Sequence, residues 1–255
     1  MEKDLNYKII RTIAVPIFNL TLKPKIINAD VIPKDGPVLL CGNHLHVWDQ
    51  FPVICATKRV THWMAKKEYF DSKLGPFFRA TGAICVDRFG DPKKATNEAL
   101  NYLENGSAVG LFPEGTRNQY EVARLKFEKL KLQYAQKQDD FYNGKLTIYE
   151  LKEFGELLQS AKDEIEKSKV TVEKKGNKVI ENEELLPFKF GAVSMAQKTD
   201  AVIVPFGVTG DYEIGNDNLT VSFGEPFKVG NRDLAEANQE LREKVLNLVR
   251  NNRRR

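Results

Sequence analysis

The sequence predicts an α/β fold, with a mostly parallel central sheet flanked by helices and a mainly helical insert. Three observations carry this. Val38-Leu39-Leu40-Cys41 is a short apolar run between Asp35-Gly36-Pro37 and the Gly42-Asn43 turn, which reads as a buried strand. Residues 108–112 repeat the grammar: an apolar run, a turn, then charged residues. Both runs put reactive side chains at a strand end, and open α/β sheets bind ligands beyond the carboxyl ends of their strands.

The elements follow in order. Residues 7–22 place Ile9, Ile10, Ile13, Ala14, Ile17 and Phe18 on one helical stripe, with Pro16 expected to kink or end the helix. Such a cationic amphipathic segment either lies on a lipid surface or packs on its own domain. Residues 48–56 are expected as a helix, and 60–65 as a strand with Lys66 just past its end. Residues 70–80 read as a helix broken at Gly75-Pro76, and 82–87 as a strand followed by Arg88. Residues 92–105 form a helix with Ala95, Ala99, Tyr102 and Leu103 inward, ended by Asn105-Gly106. After the strand at 108–112, residues 121–186 change in composition. Lys, Glu, Gln and Asp dominate, with Leu125, Leu130, Leu132, Leu151, Phe154, Leu157 and Leu158 at helical spacing. Two amphipathic helices joined near Asn143-Gly144 are expected, then a short hairpin at Gly176-Asn177. A helix at 192–198, strands at 202–208 and 219–223, and a helix at 234–249 complete the core, with Arg253 to Arg255 as a basic tail. The organisation is therefore an N-terminal segment, 1–29, and a domain, 30–255, interrupted by 121–186.

His44 follows the first strand directly, and Asp49 falls in the first turn of the next helix. A carboxylate that accepts one ring N–H fixes the imidazole tautomer and frees the other nitrogen as a base. A packed structural pair is the plain alternative. The second strand end, Phe112-Pro113-Glu114-Gly115-Thr116-Arg117, shifts the balance towards chemistry. For Glu114 and Arg117 the alternative is an exposed ion pair of little energetic weight. His62 lies inside a strand and is expected to be packed.

Asn43-His44-x-x-x-x-Asp49 together with Phe112-Pro113-Glu114-Gly115-Thr116-Arg117 resembles the glycerolipid acyltransferase family, and within it the bacterial members that acylate lysophosphatidic acid. Met64-Ala65-Lys66-Lys67-Glu68, Gly82-Ala83-Ile84-Cys85-Val86-Asp87-Arg88 and Val202-Ile203-Val204-Pro205-Phe206-Gly207 agree, in the family's order. The resemblance implies transfer of a fatty acyl group from acyl-CoA or an acyl carrier protein to the free hydroxyl of 1-acylglycerol-3-phosphate. It implies His44 as base, oriented by Asp49, and no cofactor. It implies that Glu114 and Gly115, in one motif with Thr116 and Arg117, belong to the acceptor site and that Pro205 lies in a pocket wall; the phosphate itself needs fixed positive charge, for which Arg117 and Arg88 are the candidates, with Lys66 a further cation or an ordinary surface lysine. A membrane surface is the implied partner, and the cytoplasmic face of the cell membrane the implied place. The sequence departs from the family at His46, where a Ser or Thr is usual, and in the long insert.

Lys and Arg total 39 against 35 Asp and Glu, a net +4 that is too mild to argue for nucleic acid but suits an anionic surface or a phosphate. Cys41, Cys55 and Cys85 have no metal-ligand spacing, and Cys41 and Cys85 lie in strand-like runs. No run reaches the ~18 apolar residues that span a bilayer, and no cleavable signal sequence is expected after Met1-Glu2-Lys3-Asp4. There is no Gly-x-Ser-x-Gly elbow to supply a serine nucleophile. Rival readings are a metal-dependent hydrolase using His44, His46 and Asp49, a lipid-binding protein without catalysis, and an acyltransferase acting on glycerol-3-phosphate or another lysophospholipid. Residues 139–150 overlay a calcium loop in part, with Phe141 where an oxygen ligand belongs; a structural hairpin is the expectation.

Overall fold

The computed structural model describes residues 2–174 and 184–254. Two compact units emerge, Met1–Thr116 with Phe188–Arg255, and Arg117–Pro187. In the first unit lie β1 (Lys25–Ile27), β2 (Val38–Gly42), β3 (Thr61–Lys66), β4 (Ile84–Val86), β5 (Ala108–Leu111), β6 (Val202–Thr209), β7 (Thr220–Phe223) and β8 (Phe227–Lys228). They form one sheet in the order β1-β7-β6-β2-β5-β3-β4, with β8 beside β6. Pairing is parallel at β1–β7, β6–β2, β2–β5, β5–β3 and β3–β4, and antiparallel where β6 meets β7 and β8. The short β1 and β8 were not expected, since two or three residues carry no period to read.

β2 is central, and Val38, Leu39, Leu40 and Cys41 have no exposed surface. A strand covered on both faces needs a continuous apolar run rather than an alternating one. Val38 and Leu40 join Val204, Phe206, Val221 and Phe223 on one face, under Phe18 and Leu22 of α1 (Glu2–Leu22) and Val53 of α2 (Gln50–Ala56). Burying each such side chain contributes about 1.5–3 kcal/mol. Gly42 ends β2 because a Cβ there would come within 2.2 Å of the Phe206 ring. After β3 come α3 (Lys67–Asp71) and α4 (Gly75–Ala80), and α5 (Pro92–Glu104) is capped by Asp91, which accepts from the Lys93 N–H at 2.9 Å. His62 is buried, stacked on Tyr102 at 3.6 Å, and bonded through Nδ1 to the Gly82 carbonyl at 2.9 Å, so it is a packing residue as expected.

α1 runs through Pro16, which does not end it. The Thr12 carbonyl that Pro16 leaves without its helical partner belongs to an exposed residue, where water serves. The expected stripe is also split. Tyr7, Phe18 and Leu22 are buried and Ile10 and Ala14 partly so, whereas Leu5, Ile9, Ile13, Ile17 and Leu20 are each more than half exposed. Arg11 fixes the helix to its domain by donating to the Thr57 and Ile54 carbonyls, both at 3.2 Å.

The second unit is a helical hairpin of α6 (Gln119–Tyr142) and α7 (Ile148–Lys174). Leu125, Leu130, Leu151, Phe154 and Leu158 are partly buried as the spacing predicts, but Leu132 is 74% and Leu157 is 55% exposed. At the tip, the Glu150 carboxylate accepts from the backbone N–H of Thr147 at 2.9 Å and from its hydroxyl at 2.7 Å. This is a capping box, and those bonds hold the carboxyl below its usual range. The hairpin reading of 139–150 therefore has a physical basis in a helix start. The hairpin expected at Gly176-Asn177 lies outside the described residues. In the first unit α8 (Gly191–Thr199) precedes β6, and α9 (Leu234–Arg253) takes in the first residue of the expected basic tail; Arg255 lies outside the described residues.

Candidate active site

The site forms at the carboxyl ends of β2, β3 and β5. Asn43 is buried and extends the β2 ladder with its side chain: it donates to the Val208 carbonyl at 2.9 Å and accepts from the Val208 N–H at 2.8 Å. That clamp turns the chain and projects His44 from the end of β2. The His44 Nδ1 lies 2.9 Å from Asp49 Oδ2. A carboxylate there accepts, so Nδ1 carries the proton, and in the neutral ring Nε2 then holds the lone pair. Asp49 also accepts from the backbone N–H of Leu45 and of His46, each at 2.7 Å. The imidazole stacks on Phe112 at 4.0 Å, with the rings 9° apart.

Glu114 is fully buried and its Oε1 accepts the His44 backbone N–H at 2.9 Å. The carboxylate thus ties the turn after β5 to the turn after β2, in place of the exposed ion pair weighed as its alternative. Gly115 adopts a left-handed φ of +68°, a conformation that favours glycine, and the end of the Lys189 side chain lies against it. The Arg88 guanidinium donates to the Gly115 carbonyl.

Two cavities meet at His44. One is apolar and runs between α1, α2 and α4, lined by Tyr7, Ile10, Ala14, Phe51, Ile54, Trp63 and Phe78. The other has walls of Val86, Leu111 and Met195 and carries the cations Lys66, Arg88 and Lys189, with Gly115 and Thr116 beside them. His44, Lys66 and Phe112 belong to both. The structure thus brings together His44, Asp49, Lys66, Arg88, Glu114, Gly115 and Thr116. Arg117 opens the second unit. Pro205 is buried in β6 opposite Cys41 and lines neither of these two cavities.

Sequence reading missed three residues. Lys189 stands between two aromatics in Phe188-Lys189-Phe190-Gly191, a faint signal just after the insert. Asn43 was read as a turn residue rather than a side-chain clamp. Tyr212, whose hydroxyl donates to Asp49 Oδ1 at 2.8 Å, lies 163 residues away and had no local signal. Burial pushes the Cys55 thiol up to about 11 and raises Cys41 and Cys85 as well, so none is poised as a thiolate nucleophile. Among the described residues no three His, Cys, Asp or Glu side chains are grouped as a metal site.

The sequence profile of the Acyltransferase family matches residues 23–209. The chain is 29% identical over 118 residues to a 1-acyl-sn-glycerol-3-phosphate acyltransferase of Bacillus subtilis (strain 168), a match covering 46% of this chain and 59% of that relative. It therefore spans little more than half the length of that relative. The crystal structure of the 1-acyl-sn-glycerophosphate (LPA) acyltransferase of Thermotoga maritima shares the fold at a TM-score of 0.61, with 18% identity, 98% of this chain and 80% of that one covered.

Proposed function

The chain belongs to the acyltransferase family, and on that premise we propose that it transfers a fatty acyl group from an acyl thioester to the free hydroxyl of 1-acylglycerol-3-phosphate, giving phosphatidic acid. The observation that supports this is the place of His44: an imidazole held through Nδ1 by Asp49, where an apolar cavity meets one that carries Lys66, Arg88 and Lys189. Nε2 takes the proton of the acceptor hydroxyl as its oxygen attacks the thioester carbonyl. The C–S bond breaks, and the imidazolium returns the proton to the departing thiolate. The apolar cavity suits a fatty chain. Lys66, Arg88 and Lys189 suit a phosphate, which a guanidinium grips through paired N–H donors. Arg117 is carried as a phosphate ligand on the resemblance of its motif alone.

The purified protein, given lysophosphatidic acid with acyl-CoA or acyl carrier protein thioester, is expected to yield phosphatidic acid by mass spectrometry. Acylation of glycerol-3-phosphate in preference to lysophosphatidic acid, or no ester from either donor, would reject the reading. Arg88→Ala is expected to raise the acceptor KM about tenfold, with the donor KM unchanged. A raised donor KM instead would move Arg88 to the thioester.

The protein is proposed to act peripherally at the cytoplasmic face of the cell membrane. No helix among the described residues is long and apolar enough to cross a membrane. The exposed stripe Leu5, Ile9, Ile13, Ile17 and Leu20 gives α1 an apolar outer face. Replacing Ile9 and Ile13 together by Asp is expected to lower binding to anionic vesicles by tenfold or more, roughly the loss of two apolar contacts. Turnover of detergent-dispersed substrate should persist. Undiminished vesicle binding would remove α1 from the membrane contact.

A further inference from the structure

Asp49 is bonded on both oxygens. Oδ2 receives the His44 ring and the N–H groups of Leu45 and His46, while Oδ1 receives the hydroxyl of Tyr212 at 2.8 Å. Tyr212 follows β6, on the far side of the sequence from Asp49. Its ring is seated from three directions. His46 stacks on it at 4.3 Å, Trp48 meets it edge-on at 6.2 Å, and Phe18 of α1 lies at 6.4 Å.

We propose that Tyr212 is a positioning residue of the transfer site, acting through Asp49, and that His46 serves to seat its ring. The terminal torsion of an aspartate is broad, and rotation about it moves both oxygens together. The three donors on Oδ2 and the Tyr212 hydroxyl on Oδ1 therefore hold one torsion from its two ends, and the Tyr212 bond stiffens the lone pair that Oδ2 presents to Nδ1. Burial, then the Asp49 charge, raises the Tyr212 pKa well above the usual value for a phenol, so the hydroxyl stays a donor. The pairing also accounts for the sequence's departure at position 46: the imidazole stands where a Ser or Thr was expected and covers the tyrosine face.

The inference rests on the reading of His44 as the base. Tyr212→Phe keeps the ring and removes only the hydroxyl. It is expected to lower kcat about tenfold with both KM values little changed, the effect of one lost charge-assisted hydrogen bond. In an Asp49→Asn background it should change kcat by less than about twofold, because two residues acting as a unit are not additive. The NMR resonance of the His44 Nδ1 proton should weaken or move in Tyr212→Phe. A raised KM at unchanged kcat, a full loss in the Asp49→Asn background, or an unmoved resonance would each overturn the proposal. If the wild type makes no phosphatidic acid, the functional reading fails and the resonance alone decides the inference. Should Tyr212→Phe not fold, His46→Ser takes its place; it keeps the hydroxyl and loosens its seat. A kcat loss of about threefold supports the proposal, and no loss overturns it.

Discussion

His44→Ala is expected to lower kcat by about 10²–10⁴-fold, the worth of a positioned general base, while the protein still folds. The ring is partly exposed at the cavity junction, and its packing partner Phe112 is supported independently by Trp63 at 5.5 Å, so truncation should cost little stability. Asp49→Asn should lose less. An amide oxygen in the place of Oδ2 still accepts from Leu45, His46 and His44, but the charge that steadies the imidazolium is gone. Turnover and thermal unfolding of both variants check this. Near-normal turnover in His44→Ala would end the base mechanism.

Glu114→Ala should lower kcat by about 30- to 100-fold and cost about 1–3 kcal/mol of stability, since it strands a part-buried N–H. The loss should fall on kcat rather than on the acceptor KM, because the carboxylate sits under the His44 backbone. Glu114→Gln keeps an accepting oxygen and should recover most of the rate. If Glu114→Ala instead raises the acceptor KM at unchanged kcat, Glu114 binds substrate, as its motif alone suggests.

Those two residues show what the sequence could and could not reveal. His44 and Asp49 are five positions apart, so one turn of chain brings them together and local spacing reports it. The partner of Glu114 is a backbone group 70 residues away, which no side-chain pattern encodes. Tyr212 meets Asp49 side chain to side chain, but across 163 residues, where no local spacing reports it. β2 was legible because a strand buried on both faces must be apolar throughout. The faces of α1 were not. Ile9, Ile10, Ile13, Ala14 and Ile17 together span too wide an arc to lie on one face, and the docking of Tyr7, Ile10 and Ala14 beside α2 and α4 divided them. In the insert, Leu132 and Leu157 have the right residue type and the wrong phase, since the partly buried row runs through Leu130, Tyr134 and Lys137.

The central claim is direct transfer, with His44 activating the acceptor and no acyl group resting on the protein. Rapid mixing with an acyl thioester, reading thiol release against phosphatidic acid in the first turnover, tests it most directly. The two should appear together in equal amounts, and no thiol should be released until lysophosphatidic acid is present. A burst of thiol in the absence of acceptor, matched by acylated protein, would contradict it.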